Sequence, residues 1–284
     1  MDDTAQKRLV ETDWLASHLH TPGLVVLDGS MHLPTAKRDA KAEYRAQHIP
    51  GALFFDIDDI ADETSPLPHM LPPTPKFASR MKKMGIGDGM HVVAYDSEGL
   101  YSAARVWWMF RAMGHRNVAV LDGGLPKWLK EGRQTVGTAT QPTERHFTAR
   151  FNAGLVRDLM QVKSALERNS EQVVDARSAG RFRGVDPEPR AGLRGGHMPG
   201  ALNVPFADLL DPVQKTFLPA DMLAARFTAA GVDLGKPIVT SCGSGVTACV
   251  LALGLYLLGC EDAAVYDGSW TEWGGRKDTP VETD

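Results

Sequence analysis

The stretch Ile238-Val-Thr-Ser-Cys-Gly-Ser-Gly-Val-Thr-Ala248 governs the interpretation of this 284-residue sequence. A short β-branched run, typical of a strand, ends at Cys242, and two glycines follow within three residues. An apolar run at helical spacing then continues to Leu257. A strand that turns through a glycine-containing loop into a helix gathers backbone N–H groups at one place, and such an electropositive place favours a thiolate. We therefore predict that Cys242 is a nucleophile.

The chain contains an internal duplication. Four pairs of segments match at a nearly constant interval of about 147 residues: 25–28 with 173–175, 48–53 with 197–202, 91–96 with 237–242, and 120–124 with 265–269. This interval is too long for a solenoid repeat and indicates a duplicated domain. Each copy alternates apolar strands with helical patterns, so we predict an α/β protein of two tandem domains, each a parallel sheet with helices on both faces.

The domain boundaries follow from the same comparison. We expect an N-terminal domain at residues 1–140, a linker at 141–155 and a C-terminal domain at 156–284. The junction is rich in Gly, Thr, Gln and Pro, and residues 146–151 alternate in a way that is typical of a strand. Trp128 and Trp273 recur in the two copies and are expected in the cores. His48 and His197 also recur, in His-x-Pro-Gly, and are expected to shape a turn.

The two copies differ at the cysteine. Asp96 occupies the place of Cys242, and the loop that follows it is one residue longer and carries two acids. An acidic loop without a thiol would repel an anion. We therefore expect the C-terminal copy to be chemically active and the N-terminal copy to be inactive.

Composition excludes several classes of function. The formal net charge is -4, and without a basic block nucleic-acid binding is not supported. The longest apolar run, residues 246–258, is too short to span a bilayer, and residues 1–10 lack the apolar stretch of a signal peptide. The three cysteines lack zinc or disulfide spacing. We expect a cytoplasmic, reduced protein without a bound metal.

The loop chemistry separates two uses of Cys242. Phosphatase chemistry needs an arginine at the end of the loop to hold a phosphoryl dianion, and Ala248 stands there. Sulfur transfer needs only a thiolate that attacks sulfur and a set of N–H donors for the resulting persulfide. Cys249 falls on the apolar face of the following helix and is expected to be a buried structural residue.

At this point the sequence resembles the two-domain rhodanese superfamily over nearly the whole chain. The resemblance depends on the tandem duplication and on the motifs at residues 54–58, 100–110, 180–190, 242–248 and 267–270. The form Cys-Gly-Ser-Gly-Val-Thr is similar to the branch of this family that uses 3-mercaptopyruvate. Thiosulfate-using members typically carry basic residues where Gly243 and Ser244 stand.

The resemblance implies a role for each site residue. Cys242 carries the persulfide, and Ser244 hydrogen-bonds the substrate carbonyl or relays a proton. Asp58 and His69 match the partners of Ser244 in a relay, which in similar enzymes reach in from the N-terminal domain. The remaining residues bind substrate: Arg181 and Arg190 grip the carboxylate and keto oxygen, and Gly243, Gly245, Val246 and Thr247 supply backbone N–H groups, with Thr247 at a helix cap.

These roles imply a sulfurtransferase that moves sulfane sulfur from 3-mercaptopyruvate to a thiol or cyanide and releases pyruvate. No metal or organic cofactor is implied, and no nucleic-acid or membrane partner. We expect a small reduced dithiol protein such as thioredoxin as an acceptor. Two alternatives stay open: thiosulfate as the donor, and a non-catalytic module that binds partners or senses oxidants through Cys242. Arg181 and Arg190, which share a loop with Arg177, Arg183 and Arg194, could also be solvated charges. Asp58 could be part of a solvated acidic run, and His69 a surface residue.

Overall fold

The structure, a computed structural model, describes residues 8–283. These residues form two compact units. The first contains residues up to Glu63, Pro72–Asn152 and Pro212–Thr216, and the second contains Thr64–Leu71, Ala153–Asp211 and the residues from Phe217 onward. No helix in this part of the chain is long and apolar enough to cross a membrane.

The first unit is a five-stranded parallel sheet with six helices among its described residues. The strands are β1 (Leu9–Val10), β2 (Leu24–Asp28), β3 (Leu53–Phe54), β4 (His91–Tyr95) and β5 (Val118–Leu121), in the order β1-β5-β4-β2-β3. The helices are α1 (Thr12–His18), α2 (Ala40–Ala46), α3 (Ile57–Ile60), α4 (Thr74–Lys83), α5 (Ala103–Ala112) and α6 (Gly124–Lys130).

The second unit repeats this plan. Its strands are β6 (Val156–Arg157), β7 (Gln172–Asp175), β8 (Leu202–Asn203), β9 (Ile238–Ser241) and β10 (Ala264–Tyr266), in the order β6-β10-β9-β7-β8, again all parallel. Its helices are α7 (Leu159–Arg168), α8 (Ala179–Phe182), α9 (Ala220–Ala229), α10 (Ala248–Leu257) and α11 (Ser269–Trp273). The strand order is the same in both units, which confirms the predicted duplication.

The central strands are buried on both faces, as expected for parallel sheets covered by helices. β9 is buried along its whole length, and α10, which packs against β9 and β10, is apolar on nearly every side. Trp128 and Trp273 are 2% and 1% exposed. Their indole N–H groups donate to the carbonyls of Gln134 at 2.8 Å and Pro280 at 2.7 Å, so the prediction that both are core residues is confirmed.

The repeated histidines hold equivalent turns. His48 stacks on Tyr44 with ring centroids 4.1 Å apart, and its Nδ1 lies 2.6 Å from the Tyr44 carbonyl. His197 stacks on Phe182 at 3.9 Å, and its Nδ1 lies 2.9 Å from the Phe182 carbonyl. Both imidazoles are buried and bound to a carbonyl, which agrees with the predicted structural role.

The prediction of a strand at residues 146–151 is wrong. The segment runs beside the end of α5, where the Arg150 N–H donates to the Met113 carbonyl at 2.8 Å. Phe147 is 5% exposed and packs edge-on against Phe77 and Phe110. Phe151, at the other end of the alternating pattern, is 55% exposed, so the pattern does not reflect pairing in a sheet.

Candidate active site

Cys242 is the first residue after β9 and is 2% exposed. Its carbonyl accepts the Trp270 N–H at 3.0 Å, and its own N–H donates to Ser269 Oγ at 3.2 Å. These bonds attach the cysteine loop to the start of α11. Gly245 has a φ of 76°, a left-handed conformation that side chains other than glycine rarely adopt, which explains a glycine at this point of the loop.

Ser269 is a strained residue in this attachment. It has a φ of 50°, and its buried hydroxyl donates to the Tyr266 carbonyl at 2.8 Å while it accepts from Cys242. A left-handed conformation outside glycine is uncommon and persists where neighbouring bonds enforce it. The motif at residues 267–270 thus fixes the backbone around Cys242, a positional role that the sequence alone did not indicate.

The loop lies close to two predicted substrate-binding arginines. A Cβ atom built on Gly243 would lie 3.1 Å from Arg181 Nη2 and 3.9 Å from Arg190 Nη1. The Gly243 carbonyl is held from the other side by Thr271, whose N–H and Oγ1 donate to it at 2.8 and 2.6 Å. Glycine at this position leaves room for both guanidinium groups beside the residue that follows Cys242.

Glu188 holds the first of these arginines, and sequence reasoning missed it. Its Oε2 accepts from Arg181 Nη2 at 2.6 Å, and its Oε1 accepts from Arg177 Nη1 at 2.7 Å. The Glu188 side chain is 2% exposed, whereas that of Arg181 is 22% exposed. The sequence signal for this role was an acidic residue in Pro187-Glu-Pro-Arg190, between Arg181 and Arg190.

Arg177, in the same loop as Arg181 and Arg190, is a buried structural ion. Its side chain is fully buried, it donates to both carboxylate oxygens of Asp175, and its guanidinium lies 4.2 Å from the ring centroid of Trp270. A buried guanidinium needs such pairing because an unpaired buried charge is very costly. Arg177 therefore helps to fix Glu188, which in turn holds Arg181.

His69 belongs to residues 64–71, which form part of the second unit, although the sequence comparison assigned it to the N-terminal domain. Its Nε2 lies 3.1 Å from Arg190 Nη2. Because arginine can only donate, Nε2 is the acceptor and the ring proton belongs on Nδ1. The Leu71 N–H donates to Asp267 Oδ2 at 2.7 Å and anchors this segment. His69 has a φ of 62°, a strained conformation of the kind found at functional sites.

The other predicted residues are distributed as follows. Ser244 is 6% exposed in the cysteine loop, and Val246 and Thr247 follow it, with Thr247 at the N-cap position of α10. Asp58 is exposed on α3 in the first unit, and its part in a relay stays a prediction.

The other two cysteines are placed for structure. Cys249 is fully buried on α10, and its Sγ donates to the Gly245 carbonyl at 3.2 Å, as predicted. Burial raises the pKa of the Cys260 thiol, which disfavours a reactive thiolate there. All three cysteines are free.

The equivalent loop of the first unit carries a carboxylate, that of Asp96, where the second unit has its cysteine. The Leu125 N–H donates to the Asp96 carbonyl at 2.9 Å, as the Trp270 N–H does to Cys242. The Asp96 carboxylate accepts five backbone N–H groups at 2.8–2.9 Å, from Glu98 and Gly99 on Oδ1 and from Tyr101, Ser102 and Ala103 on Oδ2. A loop of this design therefore binds an anion at the position where the second unit carries its cysteine.

The fold and this site define a protein with two rhodanese-like domains. The Rhodanese-like domain family matches the chain twice, over residues 11–131 and 158–276, and the chain belongs to that family. A human 3-mercaptopyruvate sulfurtransferase is 46% identical over 273 residues, which cover 94% of this chain and 92% of the human protein. A bovine thiosulfate sulfurtransferase is 44% identical over 286 residues, which cover 98% of this chain and 94% of the bovine protein.

The fold also matches a solved structure. The crystal structure of SseA from Escherichia coli, a 3-mercaptopyruvate sulfotransferase, superposes with a TM-score of 0.86 at 41% identity and covers 93% of this chain and 99% of that chain. The predicted α/β fold with two tandem rhodanese-like domains is thereby confirmed.

Proposed function

We propose that this chain is a 3-mercaptopyruvate sulfurtransferase, which transfers sulfane sulfur to a thiol or cyanide through a persulfide on Cys242. The observation that carries the proposal is the pair of guanidinium groups, Arg181 and Arg190, beside Gly243. A small 2-keto acid carries a carboxylate and a carbonyl oxygen, which match the planar donor geometry of arginine. The names of the human and Escherichia coli relatives support the same donor.

In the first half-reaction the Cys242 thiolate attacks the sulfur of 3-mercaptopyruvate. A sulfur–sulfur bond forms, the carbon–sulfur bond breaks, and its electron pair goes to carbon as the enolate of pyruvate. The proton of the donor thiol is transferred to this carbon, which leaves pyruvate and an anionic persulfide. Arg181 and Arg190 stabilise the enolate oxygen and carboxylate, and the proposed relay of Ser244 with His69 and Asp58 assists the proton transfer.

In the second half-reaction a thiolate or cyanide attacks the outer sulfur of the persulfide. The sulfur–sulfur bond breaks, and Cys242 leaves as a thiolate, so the cycle is ping-pong. The backbone N–H groups of Gly243, Gly245, Val246 and Thr247 are proposed to bind the persulfide anion. The carboxylate of Asp96 in its own set of N–H donors supports this assignment. A reduced dithiol protein such as thioredoxin is the acceptor that we propose.

Thiosulfate is the alternative donor, and the bovine relative carries that name. A dianionic sulfonate donor favours basic residues in the loop, whereas residues 243–248 contain no Lys or Arg. We expect Gly243→Arg to lower kcat/KM for 3-mercaptopyruvate by about tenfold or more, since the new side chain enters the space beside Arg181 and repels it. If the ratio of the activities with 3-mercaptopyruvate and with thiosulfate is unchanged in this variant, Gly243 does not determine which donor is used.

Sulfur loading of the reduced protein tests the proposal directly. The protein is incubated with 3-mercaptopyruvate or thiosulfate, and released pyruvate and intact mass are measured. We expect a gain of one sulfur atom with 3-mercaptopyruvate, its loss in Cys242→Ser, and its retention in the matched variants Cys249→Ser and Cys260→Ser. No gain with either donor would contradict the proposal and favour a non-catalytic module.

We also propose a cytoplasmic location. The three free cysteines fit a reducing compartment. Fractionation of cells that express the tagged full chain measures this, and recovery in an oxidising compartment would contradict it.

A further inference from the structure

The first unit contains a cavity of about 390 Å³ beside the end of β2. It is lined by acidic, polar and apolar side chains, among them Asp28, Ser30, Tyr44, Ser97 and Leu125. Its size falls in the range of small-molecule sites. The proposed sulfur transfer assigns no role to these residues.

The turn after β2, which lines this cavity, has a counterpart after β7 in the second unit. Asp28 and Asp175 are the last residues of β2 and β7. The Ser30 N–H donates to Asp28 Oδ1 at 3.0 Å, and the Arg177 N–H donates to Asp175 Oδ1 at 2.9 Å. The two turns share the same bond, so Ser30 stands at the position of Arg177.

Leu125, another residue that lines the cavity, also has a counterpart in the second unit. The Leu125 N–H donates to the Asp96 carbonyl and the Trp270 N–H to the Cys242 carbonyl, at 2.9 and 3.0 Å. Leu125 therefore stands at the position of Trp270. In the second unit the guanidinium of Arg177 fills the corresponding space, bonded to its aspartate and 4.2 Å from the Trp270 ring centroid.

Ser30 and Leu125 are smaller than Arg177 and Trp270, and the cavity lies beside them in the first unit. The carboxylate that remains, Asp28, is 2% exposed. Burial raises the pKa of Asp28 because it disfavours the charged carboxylate. A cation in the cavity would favour the charged form again. Asp28 Oδ1 accepts the Ser30 N–H at 3.0 Å and the Ser30 hydroxyl at 2.5 Å. The same aspartate position is thus paired with an arginine of the chain in one unit, and in the other it is bonded to a serine and lines a cavity.

The charges around the cavity also favour a cation. Glu43 lines it together with Asp28, and Arg38 is the cation among the lining residues. Arg38 already pairs with Glu43 through two bonds of 2.7 and 2.8 Å and also contacts Glu98. An incoming anion would have to compete with these carboxylates for Arg38.

We propose that this cavity binds a small molecule that carries a guanidinium group, in the position that Arg177 occupies in the second unit. The ligand donates two N–H groups to Asp28, as Arg177 does to Asp175. The cavity volume accommodates a molecule up to the size of arginine.

Calorimetric titration of the full chain with agmatine tests the proposal. We expect a dissociation constant below about 1 mM and binding at least about tenfold weaker for carbamoylputrescine, whose neutral urea group replaces the guanidinium. Equal binding of the two compounds, no binding of agmatine, or competition by inorganic phosphate would overturn the proposal.

The internal repeat supplies the matched variants. Ser30→Arg places an arginine of the chain in the cavity and should weaken agmatine binding at least about tenfold. Ser30→Ala removes the hydroxyl bond to Asp28 but adds no cation, so it should not weaken binding by more than about threefold. Unchanged 3-mercaptopyruvate activity and thermal unfolding show that each variant is folded. If Ser30→Arg is unfolded, Asp28→Asn replaces it and should lose binding. Retained agmatine binding in the folded variant would contradict the proposal.

Discussion

The loops that follow β4 and β9 have the same backbone attachment but carry opposite chemistry. Each begins with a residue whose carbonyl accepts an N–H from the start of the last helix of its unit, Asp96 from Leu125 and Cys242 from Trp270. In the first loop a carboxylate of the chain uses the N–H donors, five in all. The first loop therefore acts as an anion site filled by the chain's own carboxylate, and we infer that the second loop, with a thiol at the same position, keeps such a site for a reactive sulfur.

The surroundings of the two loops differ in a second way. The second unit has a network in which Glu188 joins Arg177 to Arg181 beside the cysteine loop. In the first unit Ser30 stands at the position of Arg177, and Ser97 at that of Gly243. The proposed chemistry therefore depends on two changes between the copies, the thiol and the arginines next to it.

Removal of the carboxylate from the first loop is expected to have the largest effect on stability. Asp96→Ala leaves five N–H donors without their acceptor, three of them in buried bonds, and we expect the first unit to lose about 3–5 kcal/mol of unfolding free energy. Hydrogen exchange of the amides at residues 98–103 and urea unfolding measure this.

Two further variants serve as controls for this experiment. Asp96→Asn should cost less, because one carbonyl oxygen stays, and the exposed Glu98→Gln should stay within about 0.5 kcal/mol of the wild type. A wild-type urea midpoint for Asp96→Ala would mean that the five bonds contribute nothing to stability, and the comparison with Cys242 would lose its basis.

The converse exchange tests whether the second loop is also an anion site. Cys242→Asp should be inactive, yet more stable than Cys242→Asn by about 1–3 kcal/mol at neutral pH, because only the carboxylate carries the charge that the N–H donors favour. Thermal and urea unfolding of the pair measure this difference. If the two variants are equally stable, the shorter loop does not bind an anion at this place, and the proposed persulfide site would need other donors.

Much of this comparison is accessible from the sequence, since the alternation of strands and helices and the repeat interval predict two parallel sheets. The positions of Cys242 and Asp96 after matching strands also follow from the repeat. A strand at residues 146–151 was predicted wrongly because the apolar residues that alternate there are not buried together: Phe147 packs in the core, whereas Phe151 is 55% exposed.

The support around the site could not be predicted in the same way. Whether Arg177 is solvated or buried depends on Asp175 and Glu188, which lie two and eleven residues away and approach it only in the folded loop. The association of His69 with the second unit depends on the bond between Leu71 and Asp267, which are 196 residues apart. Pairings that are set by the shape of a loop or by contacts between distant segments leave no periodic signal in one sequence.

The arginine network is expected to have a smaller effect than the loop exchanges. Glu188→Gln keeps the shape but weakens the hold on Arg181, so we expect KM for 3-mercaptopyruvate to rise about tenfold with a smaller change in kcat. Glu188→Asp should recover part of the loss, and Glu171→Gln, which weakens the pair with Arg157 on β6, is the matched control. A fall in kcat at constant KM would indicate that Glu188 acts on the chemical step and not on the position of the arginine.

The aspartates that end β2 and β7 give the smallest expected effect, a dependence of stability on pH. Burial raises the pKa of Asp28 above its ordinary value of 3.8, and the bonds from Ser30 and Tyr95 offset this only in part. The native state then holds the proton more tightly than the unfolded state, so the contribution is complete below pH 3.8 and is lost as the pH rises through the native pKa. Asp28→Asn cannot titrate, and its stability relative to wild type should increase across this window by at most about 1.4 kcal/mol per pH unit. Urea unfolding of both proteins between acidic and neutral pH measures the difference, and parallel profiles would show that burial does not raise the pKa of Asp28 in the native state.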